Sequence, residues 1–239
     1  MTIAMDAGAQ RLRPAHSIRH ANVDGLQVLL DLTTASYYVL DDSASAMWSI
    51  VTAASEPEAA LAELASSFAV EPERLRRDFD AFVAQCVERG FLERSPPASV
   101  HMTVAARARP AAFLLAAVAW RSIVGTRLAL AREGFGAVYD RYARLPLAAD
   151  GVGLKRAVAA FRRAENFSLS RQAPDDCLAR SLALFRFLRL AGVPAAHVIG
   201  VRRIPFEAHA WVEVDGRPVL DDSPSRAGMT SLARLASTV

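Results

Sequence analysis

Residues 175–222 read DDCLARSLALFRFLRLAGVPAAHVIGVRRIPFEAHAWVEVDGRPVLDD, and the order of elements in this stretch decides the fold of the second half of the chain. Leu178, Leu182, Phe185 and Arg189 share one helical face, while Leu184, Phe187 and Leu188 cover another. A helix beginning near Cys177 is therefore buried on more than one side. Gly192 is placed to cap its C-terminus, and Pro194 prevents its continuation. Strands follow at Ala195–Val201, Glu207–Val214 and Arg217–Asp222, the last two joined by a turn at Val214-Asp215-Gly216. A buried helix followed by consecutive strands is the pattern of an α+β domain.

Three residue types in this frame carry chemistry. Cys177 stands in the first turn of the helix, where the dipole and the free N–H groups favour a thiolate and can hold an oxyanion. Asp175 and Asp176 cap that helix but oppose a thiolate, so a cation has to come from elsewhere. On the strand Glu207–Val214, Ala208, Ala210, Val212 and Val214 make an apolar face suited to the core. His209 lies on the other face, with Glu207, Trp211 and Glu213. His197 begins a strand with no acidic partner placed by the sequence and reads as structural. A carboxylate at Asp221-Asp222 can reach the second imidazole nitrogen and fix its tautomer. Cysteine at a helix start, histidine on a strand and aspartate on the next strand is the order of papain-like and transglutaminase-like folds.

Turn geometry leaves two registers open. A two-residue type I′ turn at Asp215-Gly216 puts His209 opposite Asp222, whereas a three-residue loop at Val214-Asp215-Gly216 puts it opposite Asp221. Gly216 accepts the positive φ that either turn needs.

Upstream, β-type segments occur near Leu12–His20, at Leu26–Leu32 and at Ser36–Leu40. Helices follow: one capped by Ser43 and running to about Ala53, and one started by Glu56-Pro57-Glu58 with Leu61, Leu64 and Phe68 on one face. A third starts at Glu71-Pro72-Glu73 and ends at Gly90. Its apolar stripe is Leu75, Phe79, Phe82, Val83, Cys86 and Val87. Three strands then three helices make one compact α+β unit, residues 1–95. Cys86, on that stripe, reads as a small buried hydrophobe. Ser95-Pro96-Pro97-Ala98-Ser99 cannot continue a helix, so residues 96–106 are expected as a linker and 107–239 as the second domain, opening with helical sequence at Ala111–Arg132 and Leu154–Ala164.

Composition narrows the function. The 239 residues are 52% hydrophobic and carry a net charge of +3. Residues 1–95 hold 8 Lys+Arg against 14 Asp+Glu, and residues 96–239 hold 20 against 11, so an acidic half precedes a basic one. An acidic first half argues against a nucleic-acid-binding regulator, whose phosphate contacts need a basic surface. Two cysteines, one per half, make no disulfide framework and point to a reducing cytoplasm. The near-exclusive use of arginine, with Lys155 the one lysine, fits a GC-rich bacterial genome. MTIAMDAGAQRLRP lacks the apolar core of a signal peptide, and the run from Ala111 meets Arg121 within about ten residues, too short for membrane insertion.

DDCLARSLALFRFLRLAGVPAAHVIGVRR followed by PFEAHAWVEVDGRPVLDD resembles the transglutaminase-like leader peptidases of lasso-peptide gene clusters, the B proteins. The resemblance covers Arg107–Asp222 and rests on the combined Cys-Leu-x-Arg-Ser-Leu and Ala-His-Ala-Trp-Val-Glu motifs. Cys177 to His209 is 32 residues and His209 to Asp221 is 12, matching that family's triad. The spacing favours the three-residue loop and Asp221 as the acid. The first unit resembles a PqqD-like recognition domain of the winged-helix type.

This resemblance implies a cysteine peptidase with catalytic Cys177, His209 and Asp221 that cuts the leader from a ribosomally made precursor. An ATP-dependent, asparagine-synthetase-like cyclase then closes the macrolactam. No cofactor or metal is expected in this chain, which has no P-loop motif. The leader is expected to add a strand to an open sheet edge at Tyr37, Tyr38 and Val39, with Phe79 and Phe82 in the groove wall. Gln172 is a candidate second oxyanion donor by loose analogy with papain-like enzymes. Two rivals share the residues: an acyltransferase with an amine acceptor, and a catalytically inert leader-binding scaffold.

Overall fold

The computed structural model describes residues 12–53, 61–62, 64–65, 70–94, 112–149, 151–167 and 177–236. They form two compact units. The first holds the described residues up to 31 and from 37 to 94; the second holds residues 32–36 and those from 112 onward.

Up to residue 94, β1 (Leu12–Pro14), β2 (Ile18–Val23), β3 (Leu26–Asp31) and β4 (Ser36–Val39) lead into α1 (Asp42–Thr52), α2 (Pro72–Glu88) and β5 (Leu92–Arg94). The segment expected as one strand near Leu12–His20 is two. β1 pairs with β5, a strand the sequence reading missed, while β2 forms a hairpin with β3. Asp24 and Gly25, at φ 50° and 89°, supply the two left-handed residues of that hairpin's turn. Strand order β2-β3-β4 leaves β4 on an edge.

The cap of α1 is Asp41 rather than Ser43. Its Oδ1 accepts from the Ala44 N–H and the Ser43 hydroxyl, both at 2.8 Å, and these bonds hold its carboxyl below the usual range. Glu71 precedes α2 with Pro72 in its first turn, and Gly90 at φ 72° ends it. Leu75 and Cys86 of the expected stripe are buried, but Val87 is 43% exposed, at the outer margin of the helix. Trp48, Ile18, Leu29, Cys86, Phe91 and Leu92 form one core cluster; Met47, Leu61, Ala65 and Leu75 form a second. Residues 56–58 and Phe68 lie outside the described residues.

The second unit comprises α3 (Ala112–Ala143), α4 (Leu154–Phe167), α5 (Cys177–Leu190), β6 (Ala195–Arg202), β7 (Glu207–Val214), β8 (Arg217–Pro218) and β9 (Thr230–Leu235). Both α3 and α4 outrun their expected ends at Arg132 and Ala164. Gly134, at φ 78°, kinks α3 into two helices, so the chain turns there without stopping. α5 and β7 span what the pattern predicted. Gly192 at φ 73° closes α5, with the Val193 N–H donating to Leu188 O at 2.9 Å.

The sheet order is β8-β7-β6-β9, and β9, unforeseen, covers the second edge of β6. Pairing on both sides and α5 packed against it leave β6 buried along nearly its whole length. The β7–β8 turn has two residues, not three: Val214 pairs with Arg217 and Glu213 with Pro218, with Asp215 and Gly216 at φ 51° and 72°. The reason is that Asp215, like Asp24, takes the left-handed conformation that aspartate tolerates. β8 is also shorter than the expected Arg217–Asp222, because Leu220 at φ 55° breaks the strand. No helix among the described residues is long and apolar enough to cross a membrane.

Candidate active site

α5 begins at Cys177, which is a free thiol of intermediate exposure. The burial of α5 follows from its two apolar faces and fixes the helix against β7, so that its first turn borders a cleft shared with His209 and Asp221. The His209 Nε2–H donates to Asp221 Oδ2 at 3.0 Å, and both side chains are largely buried, at 18% and 12% exposure. That bond commits Nε2 as the protonated nitrogen and leaves Nδ1 with a lone pair available to a proton. The acid is itself held: Oδ1 accepts from the Ser223 N–H at 3.0 Å, and Arg226 Nε lies 3.3 Å from Oδ2.

Strand register does not produce this pairing. The β7–β8 ladder continues through the Val219 N–H, which donates to Val212 O at 2.9 Å. Counted onward, it brings Asp222 opposite His209. The left-handed Leu220 takes the chain off the ladder and turns Asp221 inward instead, leaving Asp222 exposed. The choice of Asp221 agrees with the geometry, but the three-residue loop offered as its reason does not.

Trp211 shares the cleft face with His209. The rings are stacked, with centroids 6.0 Å apart and planes 15° from parallel. Its indole N–H donates to Glu213 Oε1 at 2.8 Å, and Glu213 accepts from Arg234 at 2.7 Å. Ser181, one turn after Cys177, is bonded at 2.9 Å to His197 Nε2. His197 has no exposed surface, and burial pushes its pKa down to about 3, so it stays neutral. It supports α5 from behind and is structural, as read. Cys86 is the contrasting thiol: burial pushes its pKa up to about 11, which keeps it protonated and inert.

Of the other singled-out residues, Tyr38 faces the first unit's core, its ring 4.9 Å from that of Phe91. Phe79 and Phe82 are partly buried against that unit's core clusters. Val39 is 48% exposed, and Tyr37 is partly exposed. Gln172, Asp175 and Asp176 lie outside the described residues. No group of three metal-ligating side chains occurs among the described residues. Reasoning from sequence missed Arg180, Ser223 and Arg226, which surround the acid. Arg180 was within reach, three residues after Cys177 and so on the same side of the helix.

A buried helix that starts with a cysteine, packed on an antiparallel sheet bearing a histidine–aspartate pair, defines the papain-like and transglutaminase-like class of fold. The chain belongs to the transglutaminase-like superfamily, whose family model matches residues 111–234. Ahead of it lies a PqqD domain, matched over residues 27–92 by the model of coenzyme PQQ synthesis protein D. The chain is 50% identical over 51 residues to the microcin J25-processing protein McjB of Escherichia coli; the match covers 21% of this chain and 24% of that protein. It is 26% identical to TbiB1, solved in complex with the TbiA(beta) leader peptide, over 34% of this chain and 94% of that one, with a TM-score of 0.32. It is 28% identical to lasso peptide synthetase B1, complexed with the leader peptide, over 35% and 98%, also at 0.32.

Proposed function

We propose that this chain is a B protein of lasso-peptide biosynthesis: a cysteine peptidase that recognises a precursor's leader through its PqqD domain and cuts it from the core. The observation that carries the chemistry is the His209–Asp221 pair beside a free thiol at a helix start. In this reading His209 Nδ1 takes the Cys177 proton, and the thiolate attacks the carbonyl carbon at the leader–core junction. The developing oxyanion is stabilised by backbone N–H groups at the start of α5. The C–N bond then breaks, and the core's amine leaves with the proton from His209. Water, deprotonated by His209, attacks the thioester and releases the leader as a free acid, restoring the thiol. A separate ATP-dependent cyclase consumes the core.

Leader binding is assigned to β4. The Leu40 N–H donates inward to Gln27 O at 2.9 Å, so by alternation the Val39 backbone groups point outward, free to pair with an added strand. The division of labour places recognition in residues 1–95 and chemistry in 107–239. The test is mass spectrometry of products from a leader–core precursor with a primary amine in excess. Leader ending in a free carboxylate supports the peptidase. Leader ending in an amide of the added amine would make the protein an acyltransferase.

A further inference from the structure

Leu220 is a non-glycine residue at φ 55°, and the whole placement of Asp221 depends on it. A left-handed leucine is disfavoured by its own Cβ, so something outside it must hold the conformation. The Leu220 carbonyl accepts a hydrogen bond from Arg180 Nη1 at 2.8 Å. The rest of that guanidinium is committed to one carboxylate: Nε donates to Glu165 Oε1 at 2.7 Å and Nη2 to Glu165 Oε2 at 3.2 Å. Glu165 is 13% exposed and comes from α4, whereas Arg180 comes from α5, one turn after Cys177. One planar cation thus ties together α4, the helix that carries the thiol, and the kink that delivers the carboxylate.

We propose that Arg180, held in plane by Glu165, is a positioning residue for the active site: by gripping the Leu220 carbonyl it turns Asp221, and not Asp222, toward His209. The inference rests on the peptidase reading for its effect on turnover, but not for its effect on the His209–Asp221 bond. A guanidinium offers fork geometry toward the carboxylate and a further N–H toward the carbonyl. An ammonium is a point charge that cannot hold both partners in one plane, so lysine should not substitute.

The test compares Arg180→Met, Arg180→Lys and Glu165→Gln in the full chain. Turnover of a leader–core precursor is one readout. The other is the hydrogen-bonded His209 ring N–H resonance in nitrogen-edited NMR, which needs no substrate. Arg180→Met should lower kcat about 100-fold with KM within about twofold, the scale expected when a reacting group is misplaced by an ångström, and should abolish the resonance. Arg180→Lys should behave like Arg180→Met. Glu165→Gln, which keeps the shape but weakens the grip, should broaden the resonance and fall between. Should Arg180→Met not fold, Glu165→Gln and Arg180→Lys decide. Folded variants that keep both the resonance and wild-type kcat would overturn the proposal. Cys177→Ala separates the two ideas. It should keep the resonance while losing cleavage, and retained cleavage there sinks the peptidase reading without touching the clamp.

Discussion

Trp211 lies flat against His209 because Gly200, on the neighbouring strand, has no side chain. Gly200 pairs with His209 across β6–β7, and a Cβ built on it would sit 2.7 Å from Trp211 Cη2 and 2.8 Å from Cζ3. The same Cβ would stand 3.2 Å from Met229 Cβ, so neither side has room. Gly200→Ala should therefore destabilise the second unit by about 1–3 kcal/mol, the usual cost of overpacking. It should also lower kcat by displacing the indole from the imidazole. Thermal unfolding and tryptophan fluorescence check this; an unchanged melt and emission would show that the sheet opens freely at this point.

The adjacent aspartates should separate cleanly. With its amide oxygen kept on the Ser223 N–H, Asp221→Asn turns an NH2 donor toward His209 Nε2, which disfavours the tautomer and removes the charge, so activity should fall on the order of 100-fold or more. Asp222, exposed and off the ladder, should tolerate Asn with little change. Kinetics on the two variants decide, and a larger loss at Asp222 would mean that the strand keeps its register through Leu220.

The two thiols should differ in alkylation. With its pKa near 11, Cys86 has roughly one thiolate per thousand molecules at pH 8 and is buried as well. Cys177, accessible at a helix start, should react with iodoacetamide far faster. Mass mapping of partly alkylated protein measures the ratio, and equal labelling would contradict the account of both sites.

Buried His197 should make the fold acid-sensitive. Its folded pKa is about 3 against an ordinary 6.5. Above pH 6.5 neither state binds the proton, and the full stability is present. As pH falls below that, the unfolded chain takes up a proton the folded one cannot, so stability declines toward pH 3. This single group contributes a slope of up to about 1.4 kcal/mol per pH unit. Urea unfolding at pH 7 and pH 4.5 should show a shallower loss for His197→Gln than for wild type. Identical losses would place the acid sensitivity elsewhere.

Leader affinity should depend on the outward backbone of β4. Val39→Pro removes one outward N–H without touching a bond to β3. It should weaken leader binding about tenfold, near 1.4 kcal/mol, with kcat little changed. Fluorescence anisotropy with a labelled leader peptide measures it, and wild-type affinity would move the leader off this edge.

Much of the site was legible because its signals are local. The two apolar faces of α5, the glycine and proline that end it and the alternation of β7 together placed Cys177 and His209 on their elements. What escaped was set by single backbone conformations and by distant partners. The strand expected near Leu12–His20 breaks between Pro14 and Ile18, and its two parts pair with different strands, β5 and β3. Leu220 carries no sequence mark of a left-handed residue, since what holds it is an arginine 40 positions away. β5 and β9 are short or flanked by polar residues, and they exist because β1 and β6 offer them open edges. Asp221 is therefore the aspartate bonded to His209, but not for the reason the turn was expected to supply.

The most direct measurement is leader release by Cys177→Ala beside leader binding by the same variant. Removing the thiol takes away the nucleophile and leaves β4 and its surroundings untouched. The account predicts that cleavage of a leader–core precursor, followed by mass spectrometry, disappears while the leader's Kd stays at the wild-type value. Continued cleavage by this variant would contradict the assignment of Cys177 as the nucleophile.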